Sequence, residues 1–288
     1  MWLYLAVLLV LYYLLCWYRE RQMVSHLQDK FVFITGCDSG FGKLLARQLD
    51  LRGLRVLAAC LTEDGAELLK NQTCDRLQTV ILDVTKTDNV AAASEWVKEC
   101  VGDRGLWGLV NNAEDFVKIL DVNLLGVIEV TLSVLSLVRK ARGRVVNVSS
   151  IMGRVYGVEA LSDSLRRELS YFGVKVVMIE PGYFKTTVTR TLLHKLIPKS
   201  GWTEVEIYLD SFSFWTVMKS FDLLETSCCQ DLSLVTDCME HPLTSCHPHN
   251  QYSPGWDAKF IYLPMSYLPI FLVDLMVYWS NPQPAKAL

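Results

Sequence analysis

The residues with the most chemical potential sit early in the chain. Thr35-Gly36-Cys37-Asp38-Ser39-Gly40-Phe41-Gly42 follows an apolar, β-branched run and opens a segment of helical periodicity. Its glycines permit a tight turn and let backbone amides approach a phosphate, and the start of the helix favours a pyrophosphate's negative charge. A glycine-rich loop alone is a weak signal. Standing between a strand and a helix at the head of a long alternating series, it becomes a strong one. Asp83-Val84 closes the third strand-like run, where an adenine ring lies in such folds, and Asn111-Asn112-Ala113 closes the fourth, at the edge where ligands bind. Thr35, Gly36, Asp38, Ser39, Gly40, Phe41, Gly42, Asp83, Val84, Asn111 and Ala113 are therefore candidate dinucleotide-binding residues. Around Ala59–Thr62, at the end of the second run, neither an acidic residue nor an arginine occurs, so this region does not choose between NAD and NADP.

A second group, Cys238, His241, Cys246, His247 and His249, invites a metal reading. A structural zinc site draws its ligands from two spaced pairs, and this spacing fits no such pattern, so polar loop residues and no metal are expected. Nine cysteines occur without a Cys-x-x-Cys pair, which argues against a disulfide framework and suits a reducing compartment.

The elements that must position the loop can be read from periodicity. Phe31–Thr35, Arg55–Cys60, Thr79–Leu82, Leu109–Asn111, Arg144–Ser149 and Lys175–Glu180 read as strands, and Phe41–Arg52 and the other intervening stretches as helices. Strands alternating with helices predict a Rossmann-type α/β fold, a doubly wound parallel sheet covered on both faces. Without repeats or low-complexity linkers, a single domain from 28 to 255 is expected. A net charge of -3 gives no reason to expect a nucleic-acid partner.

The two ends differ from the middle. Residues 1–18 carry no charged side chain. As a helix they would reach about 27 Å, against a hydrocarbon core of about 30 Å. Trp17 and Tyr18 form an aromatic border and Arg19 and Arg21 a basic flank, so an uncleaved anchor with the folded domain in the cytosol is predicted. Occupancy of the Asn71-Gln-Thr sequon would mean the opposite orientation. Within 256–288, the apolar stretch Phe260–Trp279 carries Pro264, Pro269 and Asp274, poor company for a lipid-facing span. It reads as a membrane-associated C-terminal helix, re-entrant or interfacial, with a core helix as the alternative.

Thr-Gly-x-x-x-Gly-x-Gly, Asn-Asn-Ala, Asn123-Leu-Leu-Gly126, Asn147-Val-Ser-Ser150 and Pro181-Gly182, in this order, resemble the short-chain dehydrogenase/reductase family. Trp2-Leu-Tyr-Leu, Ser170-Tyr-Phe-Gly-Val-Lys, Asp231-Leu-Ser-Leu-Val-Thr and Pro284-Ala-Lys-Ala-Leu are similar to its microsomal retinol and hydroxysteroid dehydrogenases. The likeness spans nearly the whole chain outside about 188–226, the stretch that should carry the substrate lid. It implies attachment to the endoplasmic reticulum membrane, a lipophilic alcohol such as retinol or a hydroxysteroid as substrate, and NAD as usual cofactor with NADP open. Pro181 and Gly182 would join the cofactor site, and a homo-oligomer stays open. In the family a serine, an asparagine and a Tyr-x-x-x-Lys form the catalytic site; tyrosinate takes the alcohol proton, and lysine lowers the tyrosine pKa and holds the nicotinamide ribose.

Ser150 and Asn123 match the serine and asparagine. Tyr156 is the nearby tyrosine, but it comes six residues after Ser150 and position 160 is Ala. Tyr156-Gly-Val-Glu-Ala resembles the family segment just after the catalytic lysine, as if about eleven residues were absent. Tyr156 is then a doubtful catalyst. After Ala113, where the family has a glycine and a cleft loop, Glu114-Asp115-Phe116 is expected to begin the helix directly. Lys140, Arg154, Arg166 and Lys175 are not at i+4 from Tyr156, so none supplies the missing cation. Two functions follow: an impaired NAD-dependent dehydrogenase, or a silent family member that binds cofactor or a partner protein. A connection of four or so residues can join a strand to a helix, so the topology is not forbidden.

Overall fold

Short runs of β-branched and aromatic residues, apolar on both faces, can only be buried strands, and here they line up in parallel. The computed structural model describes residues 2–115, 118, 120–150, 157–186, 228–269, 271, 272 and 275. β1 (Phe31–Ile34), β2 (Arg55–Cys60), β3 (Gln78–Ile81), β4 (Gly108–Asn111), β5 (Arg144–Val148), β6 (Lys175–Ile179) and β7 (Gln251–Tyr252) form one sheet in the order β3-β2-β1-β4-β5-β6-β7. Every neighbouring pair is parallel. The six expected strands are present within a residue or two of the expected ends; β7 carries too little apolar pattern to be seen in sequence.

Alternation along the strands splits the core into two layers. Phe31, Phe33, Leu57 and Ala59 face one side, against Val97 of α4 (Thr87–Val101), Val134 of α5 (Val127–Ala141) and Leu165 of α6 (Val158–Leu169). Val32, Ile34, Val56 and Ala58 face the other, against Leu45 and Leu49 of α2 (Gly40–Leu51), Leu69 of α3 (Glu63–Lys70) and Met239 of α7 (Ser233–Thr244). Each fully buried leucine contributes roughly 1.5–3 kcal/mol, so both layers are needed to hold the sheet. The sheet is doubly wound.

Successive strands run outward from β1 on one side and from β4 on the other, so the chain reverses direction between β1 and β4. Loops leaving these two strands diverge and open a crevice at their C-terminal ends, the place where ligands enter such folds.

Three expectations are corrected. Residues 112–115 are not helical; the helix starts later, with a π-helical turn Asp121–Gly126 running into α5. Asn123 Oδ1 accepts from the Asp115 amide at 3.0 Å, which satisfies that backbone group without helix. Cys238 and His241 lie in α7 and not in a loop. His241 Nδ1 is 2.6 Å from Tyr252 Oη and its Nε2 is 3.2 Å from the Glu20 carbonyl. The polar cluster thus ties the foot of the N-terminal helix to the domain, helped by His249 Nε2 at 3.0 Å from Glu20 Oε1. Among the described residues no three His, Cys, Asp or Glu come together to hold a metal. Finally, the expected C-terminal helix is broken: Ala258–Tyr262 forms a π-helical turn, followed by a short helix, Leu263–Met265, with Pro264 inside. Much of 270–288 lies outside the described residues.

α1 (Trp2–Glu20) is helical as expected, and Tyr4, Leu8, Val10, Tyr13 and Tyr18 are all exposed. Among the described residues, Asp121–Ala141 is long and apolar enough to cross a bilayer. Its Val130, Val134 and Val138 are buried against the sheet, which makes it a core helix.

Candidate active site

The crevice is built by residues that pack backbone on backbone. Thr35 is buried at the end of β1, and its Oγ1 accepts from the amides of Asn112 at 3.0 Å and Ala113 at 3.1 Å. Asn112 Nδ2 returns the contact, donating to the carbonyls of Thr35 and Gly36 at 3.1 Å. The two loops are therefore locked edge to edge. Gly36 has φ +71, and a Cβ there would meet Ala113 Cα at 2.8 Å. At Gly42 a Cβ would meet the Gly36 carbonyl oxygen at 2.3 Å. Only glycine lets the loop fold this tightly against the start of α2. Ser39, the residue before α2, makes no side-chain capping bond, so the first-turn amides keep the positive end of the helix open to the cleft.

The resulting cleft has a volume of about 580 Å³, within the ordinary range for a ligand site. Gly36, Asp38, Ser39, Gly40 and Phe41 form one wall, and Asp83, Val84 and Ala113 the floor and far side. Those eight were among the residues singled out in the sequence. Thr35 and Gly42 shape the cradle from behind it. Asn111 does not line it: its amide is buried, donating to Thr131 Oγ1 at 2.9 Å and to Asn147 Oδ1 at 2.8 Å. Asn147 Nδ2 donates in turn to Ser162 Oγ at 2.8 Å, so a buried polar chain joins β4, β5, α5 and α6. Pro181 and Gly182 follow β6, where the Asp257 carboxylate accepts from the Tyr183 amide at 2.7 Å and fills the space a Gly182 side chain would need.

Asn112, Leu61, Thr62, Thr85, Glu114, Lys118, Val122 and Thr186 also line the cleft. Asn112 was visible as the middle of its motif; Lys118 and Thr186 carry no local signal, because only the fold brings them to this edge. Of the catalytic candidates, Asn123 lies in the π-helical turn beside Val122, and half-buried Ser150 follows β5 at the same C-terminal edge of the sheet. Tyr156 lies outside the described residues.

The electrostatics are those of a binding cleft with unreactive sulfur behind it. The Thr85 hydroxyl, 2.7 Å from Asp83 Oδ1, holds the Asp83 carboxyl below its ordinary range, so it stays ionised. Burial pushes the Cys37 thiol well up and the Cys60 thiol to about 12, leaving both as packing groups and not nucleophiles.

A family model described as short chain dehydrogenase matches residues 30–196. Retinol dehydrogenase 16 of Homo sapiens is 65% identical over 319 aligned positions, with 100% of both chains covered. 17-beta-hydroxysteroid dehydrogenase type 6 of Bos taurus is 62% identical over 319 positions, again covering 100% of both. Among solved structures, a short-chain dehydrogenase from Streptomyces avermitilis superposes with TM-score 0.68 at 22% identity, covering 87% of this chain and 96% of that one. The chain belongs to the short-chain dehydrogenase family.

Proposed function

We propose that this protein is a membrane-anchored, NAD-binding oxidoreductase of the retinol and hydroxysteroid dehydrogenase kind, whose turnover is impaired by loss of the proton-transferring Tyr-x-x-x-Lys. The cleft carries the binding reading: a glycine cradle locked by Thr35 and Asn112, at the open end of α2, is shaped for a dinucleotide pyrophosphate. Gly36, Gly40 and Gly42 let it approach; Asp83 and Val84 flank the adenine; Ala113, Pro181 and Gly182 border the nicotinamide end. When bound, that cofactor supplies the hydride acceptor. Relatives named as retinol and hydroxysteroid dehydrogenases support a lipophilic alcohol as substrate.

Ser150 would hold the substrate hydroxyl, and Asn123 would order the cleft wall through the Asp115 amide. Deprotonating the alcohol is the weak step. A tyrosine titrates near pH 10 when no cation stands beside it, so almost none is ionised at neutral pH. Losing general-base assistance costs about 10²–10⁴-fold. Aligned lengths support a real shortening: both relatives align over 319 positions with all 288 residues of this chain, so 31 positions have no residue here.

Residues 1–18 serve as the anchor in the endoplasmic reticulum membrane, with residues 28–255 as the cytosolic catalytic domain and 256–288 as an apolar membrane-associated segment. Exposed Trp256, Phe260, Tyr267 and Phe271 support the last assignment, and Arg21 stacked 3.9 Å from the Trp17 ring suits the interfacial end of the anchor.

A silent, cofactor-binding role is the second reading, favoured by Ala at position 160. Purified microsomes carrying the full chain separate them: we expect NADH binding by fluorescence, with retinol- or hydroxysteroid-dependent NADH formation low but above background. Background rates alone would select the silent role. Inserting a Tyr-x-x-x-Lys segment between Arg154 and Tyr156 should raise the rate by about 10²–10⁴-fold. Full turnover without insertion would refute impairment, and failure to bind any dinucleotide would refute the dehydrogenase reading.

A further inference from the structure

Positive charge gathers at the end of the strands remote from the cleft. Arg144 opens β5 and Lys175 opens β6, so both stand at the N-terminal edge of the sheet. The link Ser245-Cys246-His247, just after α7, collects three cations. Arg144 Nη2 donates to the Ser245 carbonyl at 3.0 Å, Lys175 Nζ donates to the Cys246 carbonyl, and Arg19 Nη2 lies 3.3 Å from His247 Nδ1. None of these partners is a carboxylate, and among the described residues Arg19, Arg144 and Lys175 form no ion pair. Lys30 adds a fourth cation: its Nζ lies 3.5 Å from the centroid of the Trp107 ring, and Arg144 Cζ 3.7 Å from the same centroid. The nearby acids are engaged elsewhere, Glu20 with His249 at 3.0 Å and Asp29 with Arg104 at 3.8 Å. Desolvation, and after it the neighbouring cations, holds the Lys175 ammonium and the His247 imidazole below their ordinary ranges.

Positive charge without a carboxylate partner fits an anion, and its place in the chain says which. Arg19 sits in the last turn of α1, directly after the Trp17–Tyr18 border, where a membrane helix meets the headgroups. Resting on the anchor reading of residues 1–18, we infer that Arg19, Lys175 and His247 hold the headgroup of an anionic phospholipid at the foot of the anchor. Arg19 is exposed and Lys175 half-buried, so both can reach a headgroup phosphate. Arg144, 4% exposed, lies behind them and contributes charge without contact. A lipid fits better than a dissolved anion because the anchor already holds the cluster at the bilayer surface, where headgroups are concentrated. The cluster and the cleft occupy opposite ends of the strands, so this contact is independent of dinucleotide binding.

The test is native mass spectrometry of the full chain in neutral detergent with equimolar phosphatidylserine and phosphatidylcholine, read as the ratio of singly lipidated species. Wild type should take up phosphatidylserine about 10–30-fold in preference, roughly fivefold for each of the two cations that reach the headgroup. Arg19→Gln, at an exposed position, should cut that preference about fivefold. His247→Asp places a carboxylate among the cations and should abolish the preference while the melting temperature holds or rises, whereas a merely damaged fold would lose both. Inorganic phosphate added at the lipid concentration should displace none of the bound lipid. Equal uptake of the two lipids by wild type, or an unaltered preference in Arg19→Gln and His247→Asp, overturns the inference and leaves the anchor reading standing. Uptake of phosphate in place of lipid overturns it as well. A full chain that washes out of phosphatidylcholine bilayers with alkaline carbonate overturns the anchor reading and this inference together.

Discussion

Gly42→Ala is the sharpest probe of the cradle. The new Cβ would stand 2.3 Å from the Gly36 carbonyl oxygen and 2.5 Å from Asn112 Nδ2. An ordinary carbon–oxygen contact is about 3.3 Å or longer, so the two loops must part by roughly 1 Å. Neither neighbour can yield freely, since the Gly36 carbonyl is backbone and Asn112 Nδ2 is held on it at 3.1 Å. Overpacking of this kind costs about 1–3 kcal/mol, which lowers the melting temperature by about 2–4 °C for each kcal/mol. The functional loss should be larger than the structural one. A 1 Å displacement of positioning groups costs on the order of 100-fold, so NADH affinity should fall by at least about tenfold. Titration of NADH fluorescence together with thermal unfolding in the same detergent reads both. Gly173→Ala is the control: that residue also has positive φ, but a Cβ there meets nothing closer than 3.5 Å and the site lies away from the cleft. It should lose about 1 kcal/mol of stability and no affinity. If Gly42→Ala binds NADH as wild type does, the loop does not cradle the dinucleotide.

Two further outcomes test the frame around the cleft. Asn147→Ala removes both the acceptor of Asn111 and the donor to Ser162, a loss of about 2–4 kcal/mol by chemical denaturation; a change under about 0.5 kcal/mol would mean that the buried chain carries no stability. Glu240, buried in α7, has its carboxyl pushed up by desolvation, opposed by Arg52 at 2.8 Å. Its folded-state affinity for the proton exceeds the unfolded one, so its contribution falls as pH rises through the carboxylate range. Arg52→Met should therefore destabilise by about 1–3 kcal/mol at pH 7 and by almost nothing near pH 4, where Glu240 is protonated; a pH-independent difference would refute this account.

Most of the architecture was legible because it rests on periodicity and glycine placement. Val32/Ile34 against Phe31/Phe33 shows why: strands buried on both faces read as continuous apolar runs. What escaped was tertiary. β7 is two residues long and adds to β6 only through Met178 and Ile179, leaving no pattern of its own. Asp38 was singled out with its glycine loop, but its bonds to the Leu61 and Thr62 amides, and the room that Gly65 leaves for them 27 positions away, show only in the fold. Glu114 and Asp115 looked helical because helix propensity is local, while Asn123 offers the Asp115 amide a partner outside any helix. His241 looked like loop polarity because nothing in sequence announces Tyr252 and the Glu20 carbonyl as its partners.

The proposed loss of catalysis without loss of fold has a physical basis in where the two are stored. α6 is held to the sheet by Leu165 and Leu169 in the core and by Ser162 through Asn147. None of these contacts uses residues between Ser150 and Gly157. A Tyr-x-x-x-Lys inserted there replaces none of these contacts, so we expect its stabilising term to be small. Extending the loop by about eleven residues costs under about 1 kcal/mol of closure entropy. The insertion variant should therefore melt within about 4 °C of wild type while its rate climbs by about 10²–10⁴-fold. A large gain in stability accompanying the gain in rate would show that the missing segment is part of the fold, and that the shortened chain is held in a strained or incomplete state.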